Sequence, residues 1–180
     1  MAKKVLVITS SMRRGGNSET LADEFARGAA EAGNSVEKIA LADYELKFCK
    51  GCLACQKTGK CVIKDGTEQI LAKMNEADVI AFATPIYYYE MSGQLKTMLD
   101  RSNPLFGTDY RFRDIYLFTS AADGSEEADE RALVGLQGWI ECFDKTELKG
   151  SVLAAGVDAV GAVKGSPALE RAYEMGRAVK

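Results

Sequence analysis

Five short segments rich in β-branched and aliphatic residues, separated by polar turns and helix-length stretches, constrain the fold more than any other feature. Residues 5–8, 78–84 and 115–120 are almost unbroken apolar runs. Such runs are typical of strands that are buried on both faces, as in a parallel sheet. Residues 35–40 and 151–155 are weaker runs, which we also predict to be strands, the former at an edge of the sheet.

Between these strands, apolar residues recur at the spacing of amphipathic helices. The first predicted helix begins at Asn17 or Ser18, either of which is a good cap, and ends at Gly33. Further helices are predicted at residues 65–74, 92–101, 133–143 and 166–173. This alternation predicts an open, doubly wound α/β sheet with helices on both faces and a ligand crevice beyond the carboxyl ends of the strands.

Length and charge narrow the class of protein further. The chain has 180 residues, and we predict one domain over residues 1–180. Its 23 basic and 26 acidic residues give a net charge of −3 with both signs scattered, so we expect neither nucleic acid nor a membrane as a partner. The apolar run at residues 5–8 is shorter than the about 7–15 residues of a signal-peptide core, and we therefore expect a cytoplasmic protein.

The sequence contains no histidine. This excludes Ser-His-Asp and Cys-His catalysis, and it excludes metal sites that need an imidazole ligand. The chemistry must therefore come from cysteines, carboxylates, hydroxyls or a bound cofactor.

The loop after the first strand, residues 10–18, has the composition of a phosphate cradle. It offers serine hydroxyls, the guanidinium of Arg13, and Asn17 and Ser18 at the start of a helix. It is neither a Walker loop nor a G-x-G-x-x-G fingerprint, which favours a mononucleotide phosphate. The alternative is a polar turn with a helix cap.

Two further loops follow strong strands. In residues 84–93, Pro85 is predicted to end the strand, and Tyr87, Tyr88 and Tyr89 follow it. Aromatic rings at the crevice mouth suit contact with a planar heterocycle, although tyrosines also pack at sheet edges and subunit interfaces. Residues 120–124 are small, which lets their backbone approach a ligand.

Four cysteines lie within thirteen residues with the spacing C-x2-C-x2-C-x5-C, namely Cys49, Cys52, Cys55 and Cys61. Thiolates this dense are able to hold an iron–sulfur cluster from one loop. Alternatively, they are plain thiols beside another cofactor site. Zinc is disfavoured because four-cysteine zinc sites usually use two separated knuckles. Cys142, on a predicted apolar helix, is expected to be a core residue.

These loops together resemble the flavodoxin-like superfamily, and most closely its branch of NADPH-dependent FMN reductases and iron-sulfur flavoproteins. Residues 10–18 match the G-S-P-R-x-x-G-N-S/T motif of that branch except at Ser10 and Met12. Residues 85–87 match P-x-Y, and residues 95–101 match L-K-x-x-x-D-R. The resemblance covers about the first 125 residues. It implies a three-layer fold with five parallel strands in the order 2-1-3-4-5 and the cysteine loop, residues 48–64, inserted after strand 2.

The resemblance also implies cofactors and their sites. FMN would be held through its phosphate and its ring by eleven residues, in three groups: Ser11, Arg13, Asn17 and Ser18; Pro85, Ile86, Tyr87 and Tyr88; Ser120, Ala121 and Ala122. A [4Fe-4S] cluster near the FMN would be held by Cys49, Cys52, Cys55 and Cys61. The motif fits these cysteines in position and spacing, although relatives in the same branch have similar cysteine-rich loops and are treated simply as flavin reductases.

The expected function is that of an FMN-dependent oxidoreductase in which no side chain is catalytic, because the flavin carries the chemistry. We expect NAD(P)H or a small redox protein as electron donor, an acceptor that the sequence does not specify, and a homodimer or homotetramer. One alternative is a cluster-free NAD(P)H-dependent FMN or quinone reductase. Another is a flavodoxin-like electron carrier with no substrate of its own, and a protein that keeps the fold without flavin is predicted to be colourless.

Overall fold

Strands and helices alternate along the chain in a computed structural model that describes residues 2–180. The strands are β1 (Lys4–Thr9), β2 (Ser35–Ala40), β3 (Val79–Tyr87), β4 (Glu90–Met91), β5 (Asp114–Ser120) and β6 (Glu147–Ala154). The α-helices are α1 (Asn17–Glu31), α2 (Ala54–Thr58), α3 (Thr67–Glu76), α4 (Gly93–Arg101), α5 (Glu130–Ile140) and α6 (Pro167–Arg177). Two single 3-10 turns lie at Leu41–Asp43 and Asn103–Leu105.

The sheet confirms the predicted class and order. Its parallel strands lie in the order β2-β1-β3-β5-β6, with Val5 of β1 opposite both Val36 of β2 and Val79 of β3. These five are the predicted strands in the predicted order. The two-residue β4, which pairs antiparallel with the end of β3, is the addition that the sequence pattern did not predict.

The prediction that Pro85 ends the second strong strand was wrong. β3 continues through it to Tyr87, and Pro85 lies in register with Ser120 of β5. β1 ends opposite Ala83, so beyond that residue β3 has a parallel neighbour on one side only, where a residue without an N–H group is tolerated. The chain then turns back through Tyr88 and Tyr89, both with positive φ, as in a type I′ hairpin.

Both faces of the sheet are covered by helices. Successive residues of a strand point to opposite faces of the sheet. In β1, Leu6 and Ile8 pack with α3, α4 and α5 on one face, and Val5 and Val7 pack with α1 and α6 on the other. The three-layer arrangement therefore explains why these strands read as continuous apolar runs. No helix within residues 2–180 combines the length and the apolar composition needed to cross a bilayer.

Helices α1 and α6 cross at two glycines. A Cβ atom added to Gly176 would lie 2.9 Å from the backbone nitrogen of Ala29 and still closer to the carbonyl oxygen of Phe25. A Cβ on Gly28 would overlap the backbone of α6 in the same way. The two helices therefore approach each other at a distance that only glycine permits.

Candidate functional site

A cavity of about 160 Å³ lies at the carboxyl edge of the sheet, beyond the ends of β1, β3 and β5. The three predicted loops meet there because the carboxyl ends of parallel strands share one edge. Most of the residues that were expected to contact a flavin line this cavity: Ser11, Arg13, Asn17, Ser18, Pro85, Ile86, Tyr87, Ser120 and Ala122.

The structure places the other two expected residues outside the cavity. Tyr88 is at the tip of the β3–β4 hairpin and its side chain is 99% exposed. Ala121 is buried, and its backbone continues the sheet: its N–H donates to the carbonyl of Ala154 and its carbonyl accepts from the N–H of Val157. Of the second loop, Pro85, Ile86 and Tyr87 are therefore the residues within reach of a ligand in this cavity.

A segment that the sequence pattern did not point to forms another wall. Val157, Asp158 and Val160, between β6 and α6, line the cavity. The carbonyl of Asp158 accepts a 3.2 Å hydrogen bond from Nη1 of Arg13. These residues carry no motif, and only the fold brings them beside Arg13.

The side-chain amide of Asn17 is committed to the same segment. Its Nδ2 donates to the carbonyl of Ala159 at 3.0 Å, and its Oδ1 accepts from the N–H of Val163 at 3.2 Å. Both ends of the amide are thus used to hold the segment of residues 157–163 against the start of α1. Asn17 fixes a wall of the cavity, and its side chain has less left to offer a ligand than the motif implied.

The groups that remain for an anion lie at the start of α1. The first hydrogen bond of the helix runs from the N–H of Thr20 to the carbonyl of Gly16, so the preceding amides have no partner within the helix. The Ser18 hydroxyl and the Arg13 guanidinium belong to the same cavity. Unpaired amides at a helix N-terminus, a hydroxyl and a cation together favour a phosphate.

Buried hydroxyl groups join this loop to the next one. The Ser92 hydroxyl donates to Oγ of Ser10 at 2.9 Å, and the Ser10 hydroxyl donates to the carbonyl of Ala83 at 3.0 Å. The N–H of Ser92 donates to Oγ1 of Thr84. Ser10 stands where the related motif has glycine, and here its side chain fixes the first loop against the end of β3.

A hydrogen bond between two of the loops that line the cavity fixes the hairpin. The Tyr89 hydroxyl donates to Oδ2 of Asp123 at 2.8 Å. This bond raises the pKa of Tyr89, while the backbone N–H of Ser125 and then the Tyr89 hydroxyl lower the pKa of Asp123. The hairpin tip is therefore held to the β5–α5 loop while Tyr88 projects into solvent.

The cysteine segment, residues 48–64, forms a second cavity of about 570 Å³ with the carboxyl ends of α4 and α5. Its wall includes every cysteine of the chain: Cys49, Cys52, Cys55, Cys61 and Cys142. No described residue lines both this cavity and the first one. We expected the cysteines beside the flavin loops, and within one copy of the chain the two cavities have separate walls instead.

The prediction that Cys142 is a core residue was wrong. The residue is exposed. Helix α5 ends at Ile140 rather than continuing to Phe143, so the helical spacing that placed Cys142 on the apolar face does not apply to it. It lies instead on the wall shared with the four clustered cysteines.

The clustered thiols are free and two of them accept hydrogen bonds from side chains. Cys49 and Cys52 are exposed, and Cys55 and Cys61 are half-buried. Nδ2 of Asn103 lies 3.1 Å from Sγ of Cys55, and Nη2 of Arg101 lies 3.5 Å from Sγ of Cys61. In addition, the N–H of Gly51 donates to Sγ of Cys49 at 3.4 Å.

The thiols fit an iron–sulfur cluster in donor chemistry and in sharing one cavity. Free thiols that accept N–H hydrogen bonds are the donor set that such clusters use. However, residues 2–180 contain no group of three metal-ligating side chains gathered around one point. The structure thus shows the four thiols in one cavity without a ligating geometry.

A buried ion pair closes the base of the cysteine segment. Nη1 of Arg101 lies 2.7 Å from Oδ2 of Asp65, and both side chains are almost completely buried. Burial by itself would raise the pKa of Asp65, but hydrogen bonds from Arg101, Lys47 and Thr67 outweigh it and hold that pKa well below its ordinary value. The carboxylate is therefore charged, and its position is fixed.

Comparison with protein families and relatives agrees with this architecture. The family model described as NADPH-dependent FMN reductase matches residues 3–156. An iron-sulfur flavoprotein of Methanocaldococcus jannaschii is 46% identical over 102 residues, which cover 57% of this chain and 53% of that protein. An iron-sulfur flavoprotein of Methanosarcina thermophila is 29% identical over 138 residues, covering 76% and 72%. The chain spans about half the length of several curated relatives that it matches.

Solved structures share the fold. The NAD(P)H:quinone oxidoreductase from Methanothermobacter marburgensis superposes with a TM-score of 0.75 at 18% identity, covering 98% of this chain and 96% of that one. At this identity the likeness concerns the fold alone. It agrees with the strand order and the three layers described above.

Proposed function

Because this chain belongs to the NADPH-dependent FMN reductase family, we propose that it is an FMN-dependent oxidoreductase that takes electrons from NAD(P)H. The observation that carries the proposal is the cavity at the carboxyl edge of the sheet, where three separate loops bring together the residues of the flavin motifs. Residues 1–180 would act as one FMN-binding domain, with the cysteine segment as an insertion.

The start of α1 would bind the phosphate. The guanidinium of Arg13 and the hydroxyl of Ser18 supply donors beside the unpaired amides of the helix. Ser11 shapes this turn, because its Oγ accepts from the N–H of Arg13 and donates to the carbonyl of the same residue. Asn17 holds the neighbouring wall in place.

The ring would lie at the cavity mouth. A volume of about 160 Å³ suits the phosphate end of the cofactor, whereas pockets that enclose a whole drug-sized ligand measure roughly 300–1,000 Å³. The ring would then contact Pro85, Ile86 and Tyr87 on one side and Ser120 and Ala122 on the other, with one face accessible to a second molecule. Bound FMN supplies the redox chemistry by taking up a hydride equivalent and releasing electrons singly or in pairs.

Substitution of Arg13 tests the phosphate site. We expect Arg13→Gln to weaken FMN binding about 10- to 100-fold, because a charge-assisted hydrogen bond contributes about 1.5–3 kcal/mol. FMN affinity would be measured by quenching of flavin fluorescence on apoprotein. Arg14→Gln is the matched control. Arg14 is the next residue in the chain and carries the same charge, but it pairs with Asp43 on the surface. Equal losses in the two variants would contradict the assignment of Arg13.

Steady-state kinetics separates an enzyme from an electron carrier. We expect the FMN-loaded protein to oxidise NADPH or NADH with a quinone or free FMN as acceptor. Absence of turnover with every acceptor, in a protein that holds FMN, would reject the reductase function and leave the carrier function.

Two further measurements test the other parts of the proposal. Light scattering during gel filtration would test the homodimer or homotetramer that we propose. A colourless purified protein would contradict flavin binding altogether.

We further propose a [4Fe-4S] cluster on Cys49, Cys52, Cys55 and Cys61. Two observations support it: the four thiols share one cavity, and relatives of this chain are named iron-sulfur flavoproteins. A cluster transfers one electron at a time, which would link a two-electron donor to one-electron partners. Free thiols in this number persist in a reducing cytoplasm, the compartment that we propose.

Anaerobic purification followed by iron and acid-labile sulfide analysis tests the cluster. We expect about four irons per chain, and Cys52→Ser should lose them. Cys142→Ser is the matched control, because Cys142 lies on the same wall but outside the clustered motif. Flavin absorption without iron in the wild type would establish the cluster-free reductase instead.

A further inference from the structure

Arg101 joins the two ends of the cysteine segment. Its Nη1 donates to the carbonyl of Lys47 at 2.5 Å, on the side that leads into the cysteines. Its Nη2 donates to the carbonyl of Ile63 at 3.4 Å, on the side that leads out. Asp65 accepts from both nitrogens and from the N–H of Lys47. One guanidinium from α4 therefore closes the base of the loop that carries the four thiols.

The same guanidinium reaches a thiol. Nη2 of Arg101 lies 3.5 Å from Sγ of Cys61. Two residues later, Nδ2 of Asn103 lies 3.1 Å from Sγ of Cys55. Between them, the Ser102 hydroxyl accepts from Nε1 of Trp139 at 2.8 Å, which anchors the stretch to α5. Ser102 and Asn103 thus line the cysteine cavity, and Arg101 and Asn103 each direct an N–H donor at one of its sulfurs.

Closure of the loop accounts for only part of this arrangement. Arg101 is 1% exposed, and burying a charge costs free energy even when the charge is paired. Its Nε finds no hydrogen-bond partner among residues 2–180, so part of the guanidinium is desolvated without compensation. Its bonds to Asp65 and to the carbonyls of Lys47 and Ile63 offset part of that cost. The contacts of Nη2 of Arg101 with Sγ of Cys61 and of Nδ2 of Asn103 with Sγ of Cys55 are additional to those that close the loop.

We propose that Arg101 and Asn103 are positioning residues that hold Cys61 and Cys55 in place and tune the reduction potential of the group that these thiols bind. This inference rests on the cluster proposed above. Neither residue is a ligand. Both act through the sulfur atoms that they contact.

The direction of the effect follows from charge. Reduction adds an electron to a cluster whose negative charge is partly carried by its thiolate sulfurs, and N–H donors to those sulfurs stabilise the more negative state. Loss of a donor is therefore expected to lower the reduction potential. The Arg101–Asp65 pair is neutral as a whole, so the local N–H contacts, rather than a net charge, should dominate.

Asn103→Leu is the sharpest variant, because it keeps a similar volume, changes no charge and leaves the Arg101–Asp65 pair intact. Arg101→Lys is the second variant. Lysine keeps the charge, but its single nitrogen replaces a guanidinium group that contacts Lys47, Asp65 and Cys61 together. The cluster and flavin potentials would be measured in one anaerobic redox titration, followed by visible absorption and electron paramagnetic resonance. Cys142→Ser is the control on the same wall.

We expect Asn103→Leu to shift the cluster potential to a more negative value and to leave the flavin potential unchanged, because the two cavities share no described residue. Arg101→Lys should show the same shift and hold less iron per chain than the wild type. If Arg101→Lys does not fold, Asn103→Leu decides alone. Iron-loaded variants with the wild-type potential would overturn this inference and leave the cluster intact. A wild type that takes up no iron on anaerobic reconstitution would overturn both proposals.

Discussion

Gly176→Ala tests whether α6 crosses α1 as closely as described. The added Cβ would meet the backbone of α1, at 2.9 Å from the nitrogen of Ala29 and nearer still to the carbonyl oxygen of Phe25. Backbone atoms inside a helix have no rotamer through which to move away. The two helices would have to separate, and the buried side chains between them would lose contact.

The expected magnitude combines two opposing effects. Overpacking a close contact costs about 1–3 kcal/mol, whereas alanine in place of glycine in an exposed helix interior gains about 1 kcal/mol. Gly138→Ala measures the gain in helix propensity alone. Gly138 is exposed on α5, and a Cβ there meets no atom of the described chain within 4 Å. We expect Gly176→Ala to be less stable than the wild type and Gly138→Ala to be slightly more stable. Each kcal/mol corresponds to about 2–4 °C in Tm for a domain of this size.

The assay is equilibrium unfolding in urea, followed by far-UV circular dichroism. The apoprotein should be used, because a ligand that binds only the folded state adds stability of its own. Unchanged m-values would show that the variants unfold from the same compact state. A Gly176→Ala protein as stable as Gly138→Ala would refute the close crossing.

Three further outcomes are expected. Asn17→Ala should release the segment of residues 157–163 and lose about 1–3 kcal/mol of unfolding free energy from two unmade hydrogen bonds, together with weaker FMN binding. Tyr88→Gly should raise the unfolding free energy by about 1 kcal/mol, because Tyr88 has a positive φ that glycine adopts without strain, and no packing is lost from a side chain in solvent. Asp65→Asn should cost about 3–5 kcal/mol near neutral pH by leaving Arg101 unpaired. The folded pKa of Asp65 lies below the unfolded value of about 3.9. The stabilisation by Asp65 is therefore complete above the unfolded pKa and is lost as pH falls through the folded pKa. Urea titrations at several pH values should show that the unfolding free energy falls less on acidification in Asp65→Asn than in the wild type.

The strands and their order were predictable because the physical signal is local. Val5 to Ile8 is apolar at every position, and only a strand covered on both faces buries all four residues. The boundaries were less predictable. Proline usually ends a strand because it has no N–H group. Here β3 continues through Pro85 to Tyr87 because β1 stops opposite Ala83 and leaves that side of β3 unpaired at Pro85. Where β1 stops depends on the whole sheet and cannot be read from the residues around Pro85.

The cavity at the carboxyl edge was largely predictable for a similar reason, since motif residues that follow parallel strands must meet at one edge. The use of each side chain was not predictable. Asn17 reads as a ligand in its motif, but it bonds Ala159 and Val163, which are 142 and 146 residues away along the chain. Likewise, Cys142 joins the cysteine cavity only because α5 ends at Ile140.

The closure of the cysteine segment at Arg101 has a consequence for how such a chain tolerates change. The carbonyls of Lys47 and Ile63 meet at one guanidinium, so the loop between them begins and ends at nearly the same point in space. Insertions or deletions inside the loop alter its contour without pulling on β2 or α3. The loop is thus an exchangeable module: a chain with this fold is able to gain, reshape or discard the cysteines while the sheet keeps its register.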